Sequence, residues 1–195
     1  MIRSPDDISD ELLVIRCIRR DVDAWDELVR RYSDRLFYYV RRLVDDDEQA
    51  AQLLQEVWLH VLRGIGSLRD AGRLAPWLYS IARHVVMSHF RERYSAAELA
   101  SGESVDDVID EEPDQSAQFE NAELVHYGLS QIGWAEREVL TLFFLQDLSV
   151  TEIARVLNVP PGTVKSRMSR ARAELRRVLE QTTGSPMQKV DSHEC

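Results

Sequence analysis

Six prolines punctuate this chain, and between them apolar residues recur every three to four positions. Pro5 stands in the leader, Pro113 in an acidic stretch, Pro160 and Pro161 in a turn, and Pro186 near the end. Proline inside a helix removes a hydrogen bond and clashes with the preceding turn, so helices belong in the proline-free segments. Pro76 is the exception and suits the first turn of a helix, where a missing N–H costs nothing. No run alternates with period two, so no sheet is expected.

The period places helices over Asp10–Arg20, with Leu13, Cys17 and Ile18 inward, and over Ala24–Val44, with Trp25, Leu28, Val29, Tyr32, Leu36, Tyr39, Val40 and Leu43 inward. A third runs from Asp47 to Leu62 on Ala50, Leu53, Leu54, Val57, Val61 and Leu62, until Gly64 and Gly66 stop it. The acids Asp45, Asp46 and Asp47 fit its start, where the helix dipole favours negative charge. After a loop, a fourth helix spans about Ala75–Arg93 with Trp77, Leu78, Ile81, Ala82, Val85 and Val86 inward. Helices resume at about Gln118–Ile132, then Ala135–Leu145, Val150–Leu157 and Gly162–Gln181. The expected fold class is all-α: two small helical domains, 1–94 and 118–181, joined by an acidic flexible linker, 95–117, with a disordered tail, 182–195.

Composition bears on partners and compartment. Apolar residues make up 44% of the chain, enough for packed cores. No window reaches the roughly 18 to 20 unbroken apolar residues of a membrane span, and the acidic first residues lack a signal peptide's apolar region. The expectation is a cytoplasmic chain without membrane insertion. The formal net charge of -10 argues at first against nucleic acid. Between Ser95 and Glu136, however, there are eleven carboxylates and no Lys or Arg, and without them the rest of the chain stands at -10 + 11 = +1. Local charge decides binding, because screening removes interactions beyond about 8 Å at physiological salt.

Ser149 to Arg167 carries the functional signal. Ser149 and Glu152 form an S-x-x-E capping box, followed by Ile153, Val156 and Leu157 on one face. Ala154 is small where a second helix would cross, and Asn158 tolerates the left-handed conformation of a helix end. Pro160 and Pro161 then start a helix with Val164 and Met168 inward and Lys165, Arg167, Arg170, Arg172, Arg176 and Arg177 around it. This is a helix-turn-helix pattern: the first helix braces, and the second can enter a major groove with its N-terminal residues at the base edges.

The segment Glu136-Arg137-Glu138-Val139-Leu140 through Gly162-Thr163-Val164-Lys165-Ser166-Arg167-Met168-Ser169-Arg170-Ala171-Arg172 resembles region 4 of the extracytoplasmic-function (ECF) sigma factors. Upstream, Leu53-Leu54-Gln55-Glu56-Val57-Trp58-Leu59 resembles the region 2 helix that docks on RNA polymerase. Pro76-Trp77-Leu78-Tyr79-Ser80-Ile81-Ala82-Arg83 resembles the helix that follows the promoter-melting loop. The resemblance runs from about Asp10 to Leu179 and departs from the family pattern in places. Gln49, Ala51 and Gln52 stand where acids are usual, His84 where Asn is frequent, and Ile132-Gly133-Trp134 where Leu-Pro precedes the Glu-Arg pair.

The resemblance implies an alternative sigma factor, and its partners would be core RNA polymerase, promoter DNA and an anti-sigma factor. Residues 1–94 would be region 2 and 118–181 region 4. The polymerase contacts would be Gln55, Glu56, Trp58 and Leu59. Trp58 lies beside the inward line of Val57 and Val61, where it suits an interface anchor or the interior equally. The loop from Gly64 to Gly72, with Arg69, would capture an unstacked base of the opened -10 element, with Arg83, His84 and Arg91 beside it. Thr163, Lys165, Ser166, Arg167, Ser169 and Arg170 would meet the -35 element.

No catalytic, cofactor or metal set emerges. His84 and His89 are five apart rather than four, Cys17 and Cys195 form no zinc spacing, and no phosphate-binding glycine loop occurs. The expectation is a protein that is not an enzyme. Two rival readings are a conventional helix-turn-helix regulator binding operators without polymerase, and a helical adaptor that binds no DNA. The first calls for an N-terminal ligand or receiver domain, which the all-helical upstream module does not resemble. The second leaves the positive charge of the last helix, in an otherwise acidic chain, without a use.

Overall fold

The computed structural model describes residues 5–44, 46–101 and 121–183. Most of the acidic linker with Pro113, and the tail with Pro186 and Cys195, lie outside the described residues, as does Asp45. Eight α-helices form the described chain: α1 (Pro5–Ile18), α2 (Val22–Val44), α3 (Asp47–Gly64), α4 (Leu74–Ser101), α5 (Asn121–Ser130), α6 (Trp134–Leu140), α7 (Val150–Leu157) and α8 (Pro161–Thr183). Two 3-10 turns, Ile65–Ser67 and Ala71–Arg73, connect α3 to α4, and a π-helical turn, Thr141–Leu145, extends α6. No strand occurs among the described residues.

Local chemistry sets the boundaries. Arg20 takes a left-handed backbone (φ 63°) after α1, and the Asp21 carboxylate caps α2 by accepting from the Ala24 N–H at 3.2 Å. Asp46 caps α3, accepting from the Gln49 N–H at 2.7 Å. Helix α4 begins at Leu74, so Pro76 lies in its first turn as its chemistry requires. It also runs on to Ser101, past the end at Arg93 that the sequence suggested.

Leu13, Val14 and Cys17 of α1 pack with Leu28, Leu36 and Val40 of α2, Val57 and Val61 of α3, and Leu78 and Val86 of α4 in one apolar interior. Leu129, Ile132, Val139, Leu142, Ile153, Leu157, Val164, Met168 and Ala171 belong to the α5–α8 module. There α5 crosses α8 so closely that a Cβ on Gly128 would stand 2.7 Å from Leu175 and 2.8 Å from Leu179, and both leucines would have to shift to admit a side chain. Three residues expected inside face out instead: Ile18 is 46% exposed, Val29 39% and Leu62 57%. Each lies at the margin of its helix's apolar stripe, where period alone does not distinguish core from solvent.

The two modules are not held apart. Helix α2 packs on α6, and α4 lies along α7.

Candidate nucleic-acid interface

Helix α7 begins at the capping box: the Ser149 N–H donates to the Glu152 carboxylate at 2.8 Å, and the Glu152 N–H returns to Ser149 Oγ at 3.3 Å. It ends at Asn158, whose left-handed backbone (φ 54°, ψ 48°) turns the chain. The Pro160 carbonyl accepts from the N–H groups of Thr163 at 2.9 Å and Val164 at 3.3 Å, which opens α8. Val164, Met168 and Ala171 are buried against the module, so the opposite face of α8 must be its outer one. Lys165, Ser166, Ser169 and Arg170 are exposed there, and Thr163 and Arg167 are half-buried at its margin. The Ser166 hydroxyl already donates to the Thr163 carbonyl at 2.9 Å, while Lys165 and Arg170 extend the cationic ends expected of a groove-reading helix.

On α3, Gln55, Glu56, Leu59 and Leu62 are all exposed, and positions 55, 59 and 62 share one helix face. Leu59 is 50% exposed and Leu62 57%, an apolar ridge with polar flanks of the kind that marks a protein contact. Trp58 is half-buried against the apolar interior, and its indole N–H is buried without a partner among the described residues. Trp77, expected in the interior, is likewise half-buried, and its ring would lie 3.3 Å from a Cβ on Gly64.

The residues expected at an opened -10 strand divide. Arg69, His84 and Arg91 are exposed, with Arg91 reaching Met87 O at 3.3 Å and Ser88 Oγ at 3.0 Å. Arg83 is engaged across the module boundary. Its Nε–H donates to Glu138 Oε1 at 3.1 Å, and its guanidinium lies 5.9 Å from the centre of the Trp134 ring. The Tyr39 hydroxyl donates to the same Glu138 oxygen at 2.8 Å. Glu138 is fully buried, and its Oε2 has no partner among the described residues. Burial pushes the Glu138 carboxyl above its ordinary range, with Arg83 and Tyr39 opposing the rise. Burial also raises the Tyr39 phenol well above its usual value.

Sequence reasoning missed this cross-module set, which continues around Glu138. The Tyr79 hydroxyl donates to the Gln146 side-chain oxygen, and Arg35 donates to the Gln146 carbonyl at 3.1 Å. Arg137 donates to the Arg42 carbonyl at 3.3 Å, and Tyr38 Oη meets His126 Nδ1 at 2.9 Å. The one available signal was polar residues, Glu138 and Gln146, in helical register with apolar neighbours.

Comparison with known proteins agrees with this geometry. The Sigma-70 region 2 family matches residues 28–96, and the Sigma-70, region 4 family matches residues 125–175. The ECF RNA polymerase sigma factor SigM of Mycobacterium tuberculosis is 34% identical over 171 residues, covering 88% of this chain and 85% of SigM. The chain belongs to the ECF sigma factors. A second relative of this sigma factor, BldN of Streptomyces coelicolor, is 34% identical over 171 residues, covering 86% of this chain and 64% of BldN. The sigma factor RpoE of Bartonella quintana, solved in complex with the anti-sigma factor NepR, shares its fold. The TM-score is 0.66 at 22% identity, over 80% of this chain and 96% of that one. All-α architecture in two helical domains is therefore the fold of this sigma factor, as its sequence implied.

Proposed function

We propose that this sigma factor joins core RNA polymerase through the α3 face, opens and holds the -10 element with the 65–73 loop and α4, and reads the -35 element with the N-terminal turns of α8. The observation that carries the reading is α8 itself. A helix seated by Val164 and Met168 turns Lys165 and Arg170 outward directly after a capped brace helix, the docking geometry of a major-groove reader. The Leu59–Leu62 ridge supports the polymerase contact, with Gln55 and Glu56 at its flank and Trp58 anchoring it from beneath. Arg69, His84, Arg91 and, once released, Arg83 would serve the opened strand, where bases need a pocket and phosphates need cations. Residues 1–94 and 118–181 act as two units joined by the acidic 95–117 stretch. The protein works in the cytoplasm as a non-catalytic initiation factor, and an anti-sigma factor holds it in reserve, as NepR accompanies RpoE.

Run-off transcription with purified core polymerase on a promoter library tests this. Transcripts should start at a defined promoter class only when the chain is added. Nanomolar, sequence-specific binding to duplex DNA by the chain alone, with no effect on polymerase, would instead make it an operator-binding regulator.

A further inference from the structure

We propose that His60 of α3 and His84 of α4 form an aromatic corner that takes a second unstacked base of the opened -10 strand, next to the one held by the 65–73 loop. The inference rests on the sigma-factor reading above. The two rings come from different helices and meet edge to face, with centroids 6.4 Å apart and planes 77° apart. Both residues are exposed. In an edge-to-face pair, the ring that offers one face to its neighbour keeps the other face free. A single-stranded base has flat π-faces and a polar edge, and proteins that hold such bases stack them on aromatic side chains, histidine among them. A neutral imidazole beside the stacked base also brings one donor and one acceptor nitrogen to the base edge.

His60 lies off the polymerase face of its own helix. An α-helix turns about 100° per residue, so His60 points about 100° away from Leu59 and further from Leu62 and Gln55. Helix α3 therefore presents its apolar ridge on one face and His60 on the next, where α4 packs beside it. Exposed cations flank the corner on both helices. Arg63 stands three residues after His60 on the same side of α3, and Arg91 seven residues after His84 on the same side of α4. A strand stacked at the corner thus has partners for its phosphates on either side. The exposed Glu56, one turn before His60, repels phosphate and bounds the strand's path from that end. The loop is close by: α3 ends at Gly64, four residues after His60 and about 6 Å further along the axis.

The alternative use of the pair is packing between α3 and α4. That packing already has the buried Val57 and Val61 of α3 with Leu78 and Val86 of α4. Two exposed rings at its rim add little, so the rings can be changed without losing the fold.

The test uses holoenzyme made from core polymerase and the full chain, on a promoter that the run-off screen selects. The readout is the lifetime of the open complex under competitor challenge. His60→Ala should shorten it about tenfold, the loss expected for one base stacked on a side chain. His60→Phe keeps a ring face and should recover most of that loss. An abasic nucleotide moved along the non-template strand of the -10 element then finds the base. At one position the abasic site should shorten the wild-type lifetime by a similar factor and add nothing to His60→Ala. Arg69→Ala, in the loop, should show its non-additivity at a different position. The melting temperature and core affinity of His60→Ala should match the wild type. Unchanged lifetime, additive losses at every position, or the same non-additive position for His60 and Arg69 overturns the corner. A lowered melting temperature with additive losses makes the pair packing only, and weakened core binding puts His60 on the polymerase face, and either also overturns it. Failure of the sigma-factor reading shows differently, as a wild type that supports no promoter-specific run-off at all.

Discussion

The two surfaces assigned to DNA hold their cations differently. On α8, Lys165 and Arg170 extend into solvent from a helix whose other face is buried. On α4, Arg83 is half-buried and tied to a carboxylate of the other module, while its neighbours His84 and Arg91 are exposed. The first surface is ready for a groove as soon as its module is folded. The second depends on where the other module sits. Two regions with the same kind of charge therefore differ in what limits them, which is fold integrity in one case and conformation in the other.

The largest effect should come from breaking the seat of α8. Val164 is fully buried, and Val164→Asp puts a carboxylate without a partner into the module interior. A cost of about 3–5 kcal/mol is expected, enough to abolish cooperative melting of the second module and all -35 binding. Thermal denaturation followed by circular dichroism reads it. A variant that melts as the wild type does would mean α8 is not held through this face.

Next in size are the exposed cations. Lys165→Ala or Arg170→Ala should cost holoenzyme about 1–3 kcal/mol on the preferred -35 sequence and less on altered ones, as base-reading groups do. Arg176→Ala, two turns further along, should weaken all sequences alike and lower the salt slope by about one unit. Binding of holoenzyme to -35 variants at two salt concentrations separates the classes. Equal losses on every sequence for Lys165→Ala and Arg170→Ala would remove α8 as the reader.

Smaller again is the capping box. Ser149→Ala removes the side-chain acceptor for the Glu152 N–H and should lower the melting stability of the second module by about 1 kcal/mol. Base discrimination should not change, because Ser149 braces α7 and lies outside the reading face. Altered -35 preference in a fully folded Ser149→Ala chain would contradict that division of roles.

The difference between the surfaces also explains what the sequence could reveal. The capping box, the left-handed Asn158 and the inward positions Val164 and Met168 are set by neighbours within a few residues, so period and cap chemistry reach them. Ile18, Val29 and Leu62 were misplaced because a helical stripe has margins, and at a margin the neighbouring element decides. For α6, the sequence suggested one helix through Leu145, but the structure shifts to a π-helical turn at Thr141, with the buried Thr141 hydroxyl donating to the Arg137 carbonyl. The Tyr39–Glu138 pair joins residues 99 apart, and nothing local marks either as belonging to the other. Tyr39 stood in an apolar line and passed for simple core. The acidic stretch between the modules implies separation in the sequence, and nothing in its charge marks the contact that α4 and α7 make.

The finest test of the comparison is pH, because the contact holds two groups that titrate in opposite senses. Burial raises the Glu138 carboxyl above its ordinary value of 4.5, with Arg83, Tyr39 and Arg167 facing it. The closed form therefore binds that proton better than a solvated Glu does. This contribution favours closure at low pH, fades as pH rises through the raised value, and levels off above it. Burial, with Arg42 nearby, lowers His126 below its ordinary 6.5 while Tyr38 engages its ring. The closed form therefore resists protonation there, and that contribution is present above the ordinary value and lost as pH falls through it. Arg35, Arg137 and Asp147 complete the charged surroundings. The two contributions oppose each other, Glu138 strengthening the contact as pH falls and His126 strengthening it as pH rises, so each is read in the variant that removes the other. In Glu138→Gln the contact should strengthen as pH rises, and in His126→Asn it should weaken as pH rises, each by a few-fold, as read by the distance between labels placed on the two modules. Lys165 and Arg170 are exposed on the outer face of α8, outside this contact, so they should keep their base discrimination throughout. A contact that still weakens with rising pH in Glu138→Gln would show that another group senses pH, and Glu138 would lose its place at the centre of the contact.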